Sequence, residues 1–184
     1  MSLMKSLQGM IVRAVIDAVN SNKKCQAANI RLQANDAKTG IEHLEPYGFT
    51  ANPLAGAEGI VMFPGGDRSH GVLITVCDRR YRLTGLQSGE VAIYTDEGDK
   101  IVLRRGNCIE CDTRQFIVNA VEKITFNTPL FEVPNGEIKD KTSTMSDMRV
   151  IYNGHKHKGD SGGMTGGPTG QMRLLNVNDK RSTN

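Results

Sequence analysis

A chain of 184 residues with a hydrophobic fraction of 38% and no tryptophan holds material for one core of ordinary size or two small ones, since domains commonly run ~100–150 residues. A large globular interior is excluded. Its formal net charge of +3 is mild, and the lysines and arginines are scattered instead of gathered in a run with stacking aromatics, which counts against a nucleic-acid partner. The opening stretch carries apolar residues at Leu3, Leu7, Met10, Ile11, Ala14, Val15 and Ala18, which fit one helical face, while Val12 to Val19 is β-rich enough for a strand. Both alternatives stand at this point. Arg13 and Asp17 interrupt the run, so it is neither a signal-peptide core nor a span of ~20 apolar residues, and a soluble protein is expected.

From Cys25 to Tyr81 the pattern is strand, turn, strand. Ala28 to Leu32 alternates, Asn35-Asp36 turns, Gly40 to Leu44 resumes, and Pro46-Tyr47-Gly48 breaks the chain. Gly59 to Phe63 and Gly71 to Cys77 are β-branched runs separated by Pro64-Gly65-Gly66-Asp67, a strong turn signal. Several short strands in so few residues suggest a small antiparallel barrel. Asp67, Ser69 and His70 have the chemistry of a catalytic triad, but neighbours on one tight turn are not expected to converge as base and nucleophile must. A packed or capping histidine is the expectation there.

After Leu83-Thr84-Gly85 the texture changes to apolar pairs: Val91/Ile93, Ile101/Leu103, Ile109/Cys111, Phe116/Val118, Ile124/Phe126 and Phe131/Val133. Turn formers fall between them, among them Glu97-Gly98-Asp99, Gly106-Asn107, Asn127-Thr128-Pro129 and Asn135-Gly136. Each pair reads as a strand of a few residues, too short to bury anything alone. A unit that cannot cover its own apolar face must stack on copies of itself or on other chains. Three chains wound together would close a prism around one axis and remove the free strand edges that cause aggregation; a second small barrel is the plainer alternative.

The four cysteines are Cys25, Cys77, Cys108 and Cys111, and reduced thiols are expected because nothing resembling a secretory signal precedes them. Cys108-Ile-Glu-Cys111 has metal or redox spacing, yet no second pair completes a zinc site. In a strand these positions face opposite sides, so Cys111 is expected as a small core residue.

Beyond Ile138 the apolar signal fades and returns weakly as Met148, Val150 and Tyr152. Then come His155-Lys156-His157 and Gly159-Asp160-Ser161-Gly162-Gly163. Read as extended chain, the first triplet throws both imidazoles to one side, which makes a pair of metal ligands. Two ligands are only part of a set, since imidazole-binding metals want four to six. The second motif spells the segment that carries the nucleophile of chymotrypsin-like serine proteases. Against that alternative, the chain is too short for two barrels, and His155 lies too close to Ser161. Gln171 to Asn184 is polar and suggests no element.

Pro46-Tyr47-Gly48-Phe49-Thr50, Gly56-Ala57-Glu58, Gly65-Gly66-Asp67-Arg68-Ser69-His70, Asp78-Arg79-Arg80-Tyr81-Arg82, Gly89-Glu90-Val91-Ala92-Ile93-Tyr94 and His155-Lys156-His157-Lys158-Gly159-Asp160-Ser161 together resemble the baseplate spike family of Mu-like contractile-tail phages, also called baseplate assembly protein V. The resemblance implies an all-β homotrimer. Residues 1–85 would form an OB-like barrel that docks to the tail hub and baseplate proteins. Residues 86–150 would form an intertwined triple-stranded β-helix needle, and 151–184 a metal-bound tip and tail. In that family a His-x-His from each of three chains surrounds one iron ion on the three-fold axis, and those positions fall here on His155 and His157. The implied role is a structural, non-enzymatic spike of the virion tail. It would assemble in the host cytoplasm and pierce the host outer membrane mechanically, without a nucleic-acid partner. The alternatives from other classes are the serine protease and an OB-type nucleic-acid-binding module; the missing interleaved aromatics and basic residues count against the module.

Overall fold

The computed structural model describes residues 9–32 and 36–172. Leu3 and Leu7, the Asn35 half of the expected turn, and most of the polar tail lie outside them. The described residues are mostly β-sheet with a single α-helix, and they divide into two compact units, Met1–Val118 and Asn119–Asn184.

The first unit holds a closed barrel of strands β1 (Ile11–Asn20), β2 (Gln26–Arg31), β3 (Ala37–His43), β4 (Glu58–Met62) and β5 (Val72–Cys77), in the order β1-β2-β3-β5-β4. Its pairs are antiparallel except β3 with β5, which run parallel through Glu42↔Val72 and His43↔Leu73. This is the strand count of an OB-type barrel. The ambiguous N-terminal stretch is therefore a strand. Ala14 and Ile16, Ala28 and Ile30, Ile41, Val61 and Leu73 point inward on the period of two and meet Ala57 and Phe63 in one buried core. β-branched residues at Val12, Val15, Ile16 and Val19 suit that pleated surface better than a helix, where their χ1 freedom is lost. Register shifts between Ile16 and Ala18, between Ala28 and Ile30, and between Ile60 and Val61 bend the strands enough to close the ring. Gly59 and Gly71 make room inside it: a Cβ on Gly59 would stand 2.6 Å from Leu73 Cδ1, and one on Gly71 2.8 Å from Phe63 Cε1.

In the same unit, β6 (Val91–Tyr94), β7 (Lys100–Arg104) and β8 (Cys108–Asp112) form an antiparallel meander. The expected turns join them, with Gly98 at φ 95°, Gly106 at φ 81° and Asn107 at φ 59°; these left-handed values favour Gly and Asn. The registers Val91↔Leu103, Ile93↔Ile101, Ile101↔Cys111 and Leu103↔Ile109 put all these side chains on one face. That face is exposed in the single chain, from 40% at Ile101 to 69% at Ile109. On the other side Val102 is buried, and Lys100 pairs with Asp112 at 3.0 Å and Arg104 with Glu110 at 2.7 Å. Cys111, expected in a core, belongs to the exposed face, because among the described residues no second layer covers that side of its strand.

The remaining three apolar pairs form no strand within the chain: none is assigned among the described residues between Asp112 and the helix. Phe116, Ile117, Ile124, Phe126, Leu130 and Phe131 are all exposed there. A two-residue apolar step gives one chain too little to pair or bury. The second unit instead contains α1 (Met145–Gly154), in a region where the weak alternation of Met148, Val150 and Tyr152 suggested no helix. The expected boundary at 150/151 falls inside α1.

Candidate metal-ligating tip at His155 and His157

Capping chemistry sets where the helix begins. Asp140 accepts from Thr142 Oγ1 at 2.6 Å, Thr142 N at 2.7 Å and Ser143 N at 2.9 Å, and these bonds, led by the Thr142 hydroxyl, hold its carboxyl down at about 2. One turn later Asp147 N donates to Thr144 Oγ1 at 3.1 Å while Thr144 N donates to Asp147 Oδ2 at 3.4 Å, a capping box. Ser143 Oγ adds a 2.8 Å bond to Asp147 Oδ2, and this hydroxyl is the main cause of the lowered Asp147 pKa. The spacing Thr144-x-x-Asp147 was the sequence signal for the helix that alternation obscured.

α1 ends at Gly154, and His155 leaves it in extended conformation at φ −69°, ψ 145°. The chain turns abruptly from helix to strand-like geometry at the candidate ligands. The His155 and His157 rings then lie 5.1 Å apart, centroid to centroid, edge to face, on one side as alternation requires. His155 Nδ1 lies against the Tyr152 carbonyl, and the Tyr152 ring is 5.3 Å from that of His155. An Nδ1–H donated to a backbone carbonyl leaves the Nε2 lone pair available, one of the two tautomers in which histidine binds metal. Both side chains are exposed. Among the described residues no group of three or more His, Cys, Asp or Glu could hold a metal, so the described part of one chain brings two imidazoles together here.

The Gly159-to-Gly163 motif is a tight turn. Gly162 N donates to Gly159 O at 3.1 Å and Gly159 N to Gly163 O at 2.7 Å, with Gly162 at φ 79° and a bridge between Lys158 and Met164. Ser161 has no hydrogen bond to a histidine among the described residues. Asp67, Ser69 and His70, expected not to converge, do meet: Ser69 Oγ lies 2.7 Å from Asp67 Oδ1 and 2.9 Å from His70 Nδ1, and His70 Nδ1 is 3.3 Å from Asp67 Oδ2. Asp67 is lowered to about 2, first by the Ser69 hydroxyl. The serine and the aspartate share one ring nitrogen, however, whereas a triad needs them on opposite nitrogens. This is an exposed turn network, and His70 is neither packed nor buried. Cys108 and Cys111 stand three apart on β8 as free, exposed thiols.

The family model described as Bacteriophage Mu Gp45, N-terminal, matches residues 13–80, the span of the barrel. The chain is also 36% identical over 181 residues to the "Baseplate puncturing device gp45" of Escherichia phage Mu, covering 89% of this chain and 91% of that protein. The chain belongs to the Mu gp45 family. A second relative, the "Mu-like prophage FluMu protein gp45" of Haemophilus influenzae (strain ATCC 51907 / DSM 11121 / KW20 / Rd), is 33% identical over 136 residues, or 69% of this chain and 72% of the relative. This is the family of Mu-like baseplate spikes that the sequence resembles.

Proposed function

We propose that this protein is the puncturing spike of a contractile phage tail: a structural, non-enzymatic homotrimer that attaches to the tail hub through its barrel and pierces the host outer membrane with its tip. The role follows the name of the phage Mu relative, a baseplate puncturing device. The observation that carries the trimer is the apolar surface that one chain leaves uncovered, the single face of β6 to β8 followed by exposed apolar residues from Phe116 to Phe131. Large exposed apolar faces on soluble proteins mark surfaces that another chain covers. Three chains intertwined about an axis would cover it and give the unpaired segments ladder partners, which makes a triple-stranded β-helix.

The tip residues fit an ion under the same symmetry. His155 and His157 project together with Nε2 of His155 free, and three copies supply six imidazoles, an octahedral set. Iron, one ion per trimer, is the assignment. The bound ion would supply a rigid cross-link between three chain ends at a point too narrow for a hydrophobic core. These residues would hold it; no reaction is assigned to it.

Sedimentation equilibrium and elemental analysis of untagged protein test the reading together. One species of three chains with one iron per trimer is expected, with the iron lost in His155→Ala while the trimer persists. A well-folded monomer overturns the intertwined needle. No metal, or one ion per chain, overturns the tip.

A further inference from the structure

We propose that the two imidazoles are held in place within each chain by two side-chain clasps, Asn153 and Thr165, and that the Gly159-to-Gly163 turn is the spacer that lets the second clasp close. The inference rests on the reading of His155 and His157 as ligands. It assigns a task to a sequence motif which that reading leaves unused.

The first clasp sits just before the ligands. Asn153 Nδ2 donates to the Met172 carbonyl and Met172 N donates to Asn153 Oδ1, both at 2.9 Å. One amide side chain thus mimics a strand partner and ties the end of α1 to the returning chain. The second clasp sits on the ligand itself. His157 N donates to Thr165 Oγ1 at 2.9 Å, and Thr165 N donates to His157 O at 2.8 Å, so both backbone polar groups of His157 are taken by one residue. The extended conformation that puts the two rings on the same side is therefore fixed from both ends, by Asn153 before His155 and by Thr165 across from His157.

Closing the second clasp requires the chain to reverse between Lys158 and Met164. A Cβ on Gly159 would lie 3.2 Å from the Gly163 carbonyl oxygen, the atom that Gly159 N binds at 2.7 Å. Gly162 has the positive φ that a side chain resists. The run of small residues that imitates a protease motif is accounted for by this reversal. Ligands already held in their binding geometry lose less freedom when the ion arrives, and groups that orient ligands typically change metal affinity by about 10- to 100-fold.

The test compares full-length wild type with Thr165→Val, Thr165→Ser and Asn153→Leu. Two readouts are taken on protein confirmed trimeric by sedimentation: the nuclear Overhauser contact between the His155 and His157 rings in metal-stripped, histidine-labelled protein, and the rate at which a chelator removes ferrous iron. With four histidines in the chain, the ring signals are few enough to assign. Wild type and Thr165→Ser should keep the ring contact without metal. Thr165→Val and Asn153→Leu should lose it and release iron about 10- to 100-fold faster. If both variants keep the contact and the wild-type release rate, the clasps are not positioning groups. If wild type takes up no iron, the ligand reading fails separately, and the ring contact alone then decides for or against the clasps.

Discussion

Gly59 shows how a single missing side chain shapes the barrel. It lies on β4 opposite Val76, and its absent Cβ is where Leu73 Cδ1 packs. Leu73 is fully buried, as are Ile16, Ile30, Val61 and Phe63, so it has no free space to retreat into. Gly59→Ala adds one methyl to a filled interior. Overpacking of this kind costs about 1–3 kcal/mol, and chemical denaturation should show that loss, since a shift in midpoint with unchanged slope reports stability alone. An unchanged midpoint would mean that the core can open at this point. His43 and Gln26, both buried and paired in register, are the polar members of that interior. Gln26 Nε2 donates to Thr50 Oγ1 at 3.2 Å and to the Ala51 carbonyl at 2.9 Å, which fastens the long β3–β4 connection to the barrel.

The helix α1 is the element with the least packing support. None of its residues is buried, so its existence depends on its N-terminus more than on a core, since helices this short are marginal on propensity alone. The carboxylates of Asp140 and Asp147 do that work in the ionised form, and both have lowered pKa values in the folded chain. The sign follows directly. A depressed carboxylate contributes fully above its unfolded value, near 3.9, and the contribution disappears as pH falls through the folded value, about 2 for Asp140. The amide resonances of Thr142, Ser143 and Asp147 should therefore move together between about pH 4 and pH 2, ahead of the barrel. Amides that stay unchanged down to pH 2 would show that the caps do not hold the helix. Met145, Met148 and Tyr152 follow helical spacing on its surface, and Val150 does not share that stripe.

At the scale of the whole molecule, the decisive feature is the imbalance between a barrel with its own core and the segments after Val91, which have little buried apolar surface within one chain. Among the described residues the nine of the barrel's buried core lie between Ala14 and Leu73, and Val102 is the one buried apolar residue beyond it. Past Val91 the large apolar side chains are almost all exposed in one chain. Ile101 stands at the centre of the uncovered face, between Ile93 on β6 and Cys111 on β8. Ile101→Lys would place three ammonium groups in the proposed shared interior. It removes roughly 1.5–3 kcal/mol of apolar burial per chain and adds the larger cost of an unpaired buried charge. Dissociation or loss of the trimer in sedimentation velocity is expected, with the barrel still folded by amide dispersion. A trimer of wild-type stability would mean that this face is not the one between chains.

The sequence by itself determined the barrel strands β2 to β5, the turns at Gly98 and Gly106-Asn107, and the same-side placement of His155 and His157, because each depends on a local rule: alternation, left-handed backbone preference, and the period of an extended chain. The family was legible because several of the residues that carry the resemblance lie in turns, at Pro46-Tyr47-Gly48 and Gly65-Gly66-Asp67, where backbone geometry limits the choice of residue. Tertiary structure alone decided the rest. It closed the barrel through the parallel contact of β3 with β5, which depends on residues distant in sequence. It chose strand over helix for Ile11–Asn20, because β2 and β4 flank that segment and bury Ala14 and Ile16. It brought Asp67, Ser69 and His70 into contact while sharing one ring nitrogen, a distinction that no spacing encodes. It also showed that the short pairs after Asp112 find no strand partners among the described residues, because a strand is stabilised by the neighbours it pairs with and these segments carry too little apolar surface to stand alone.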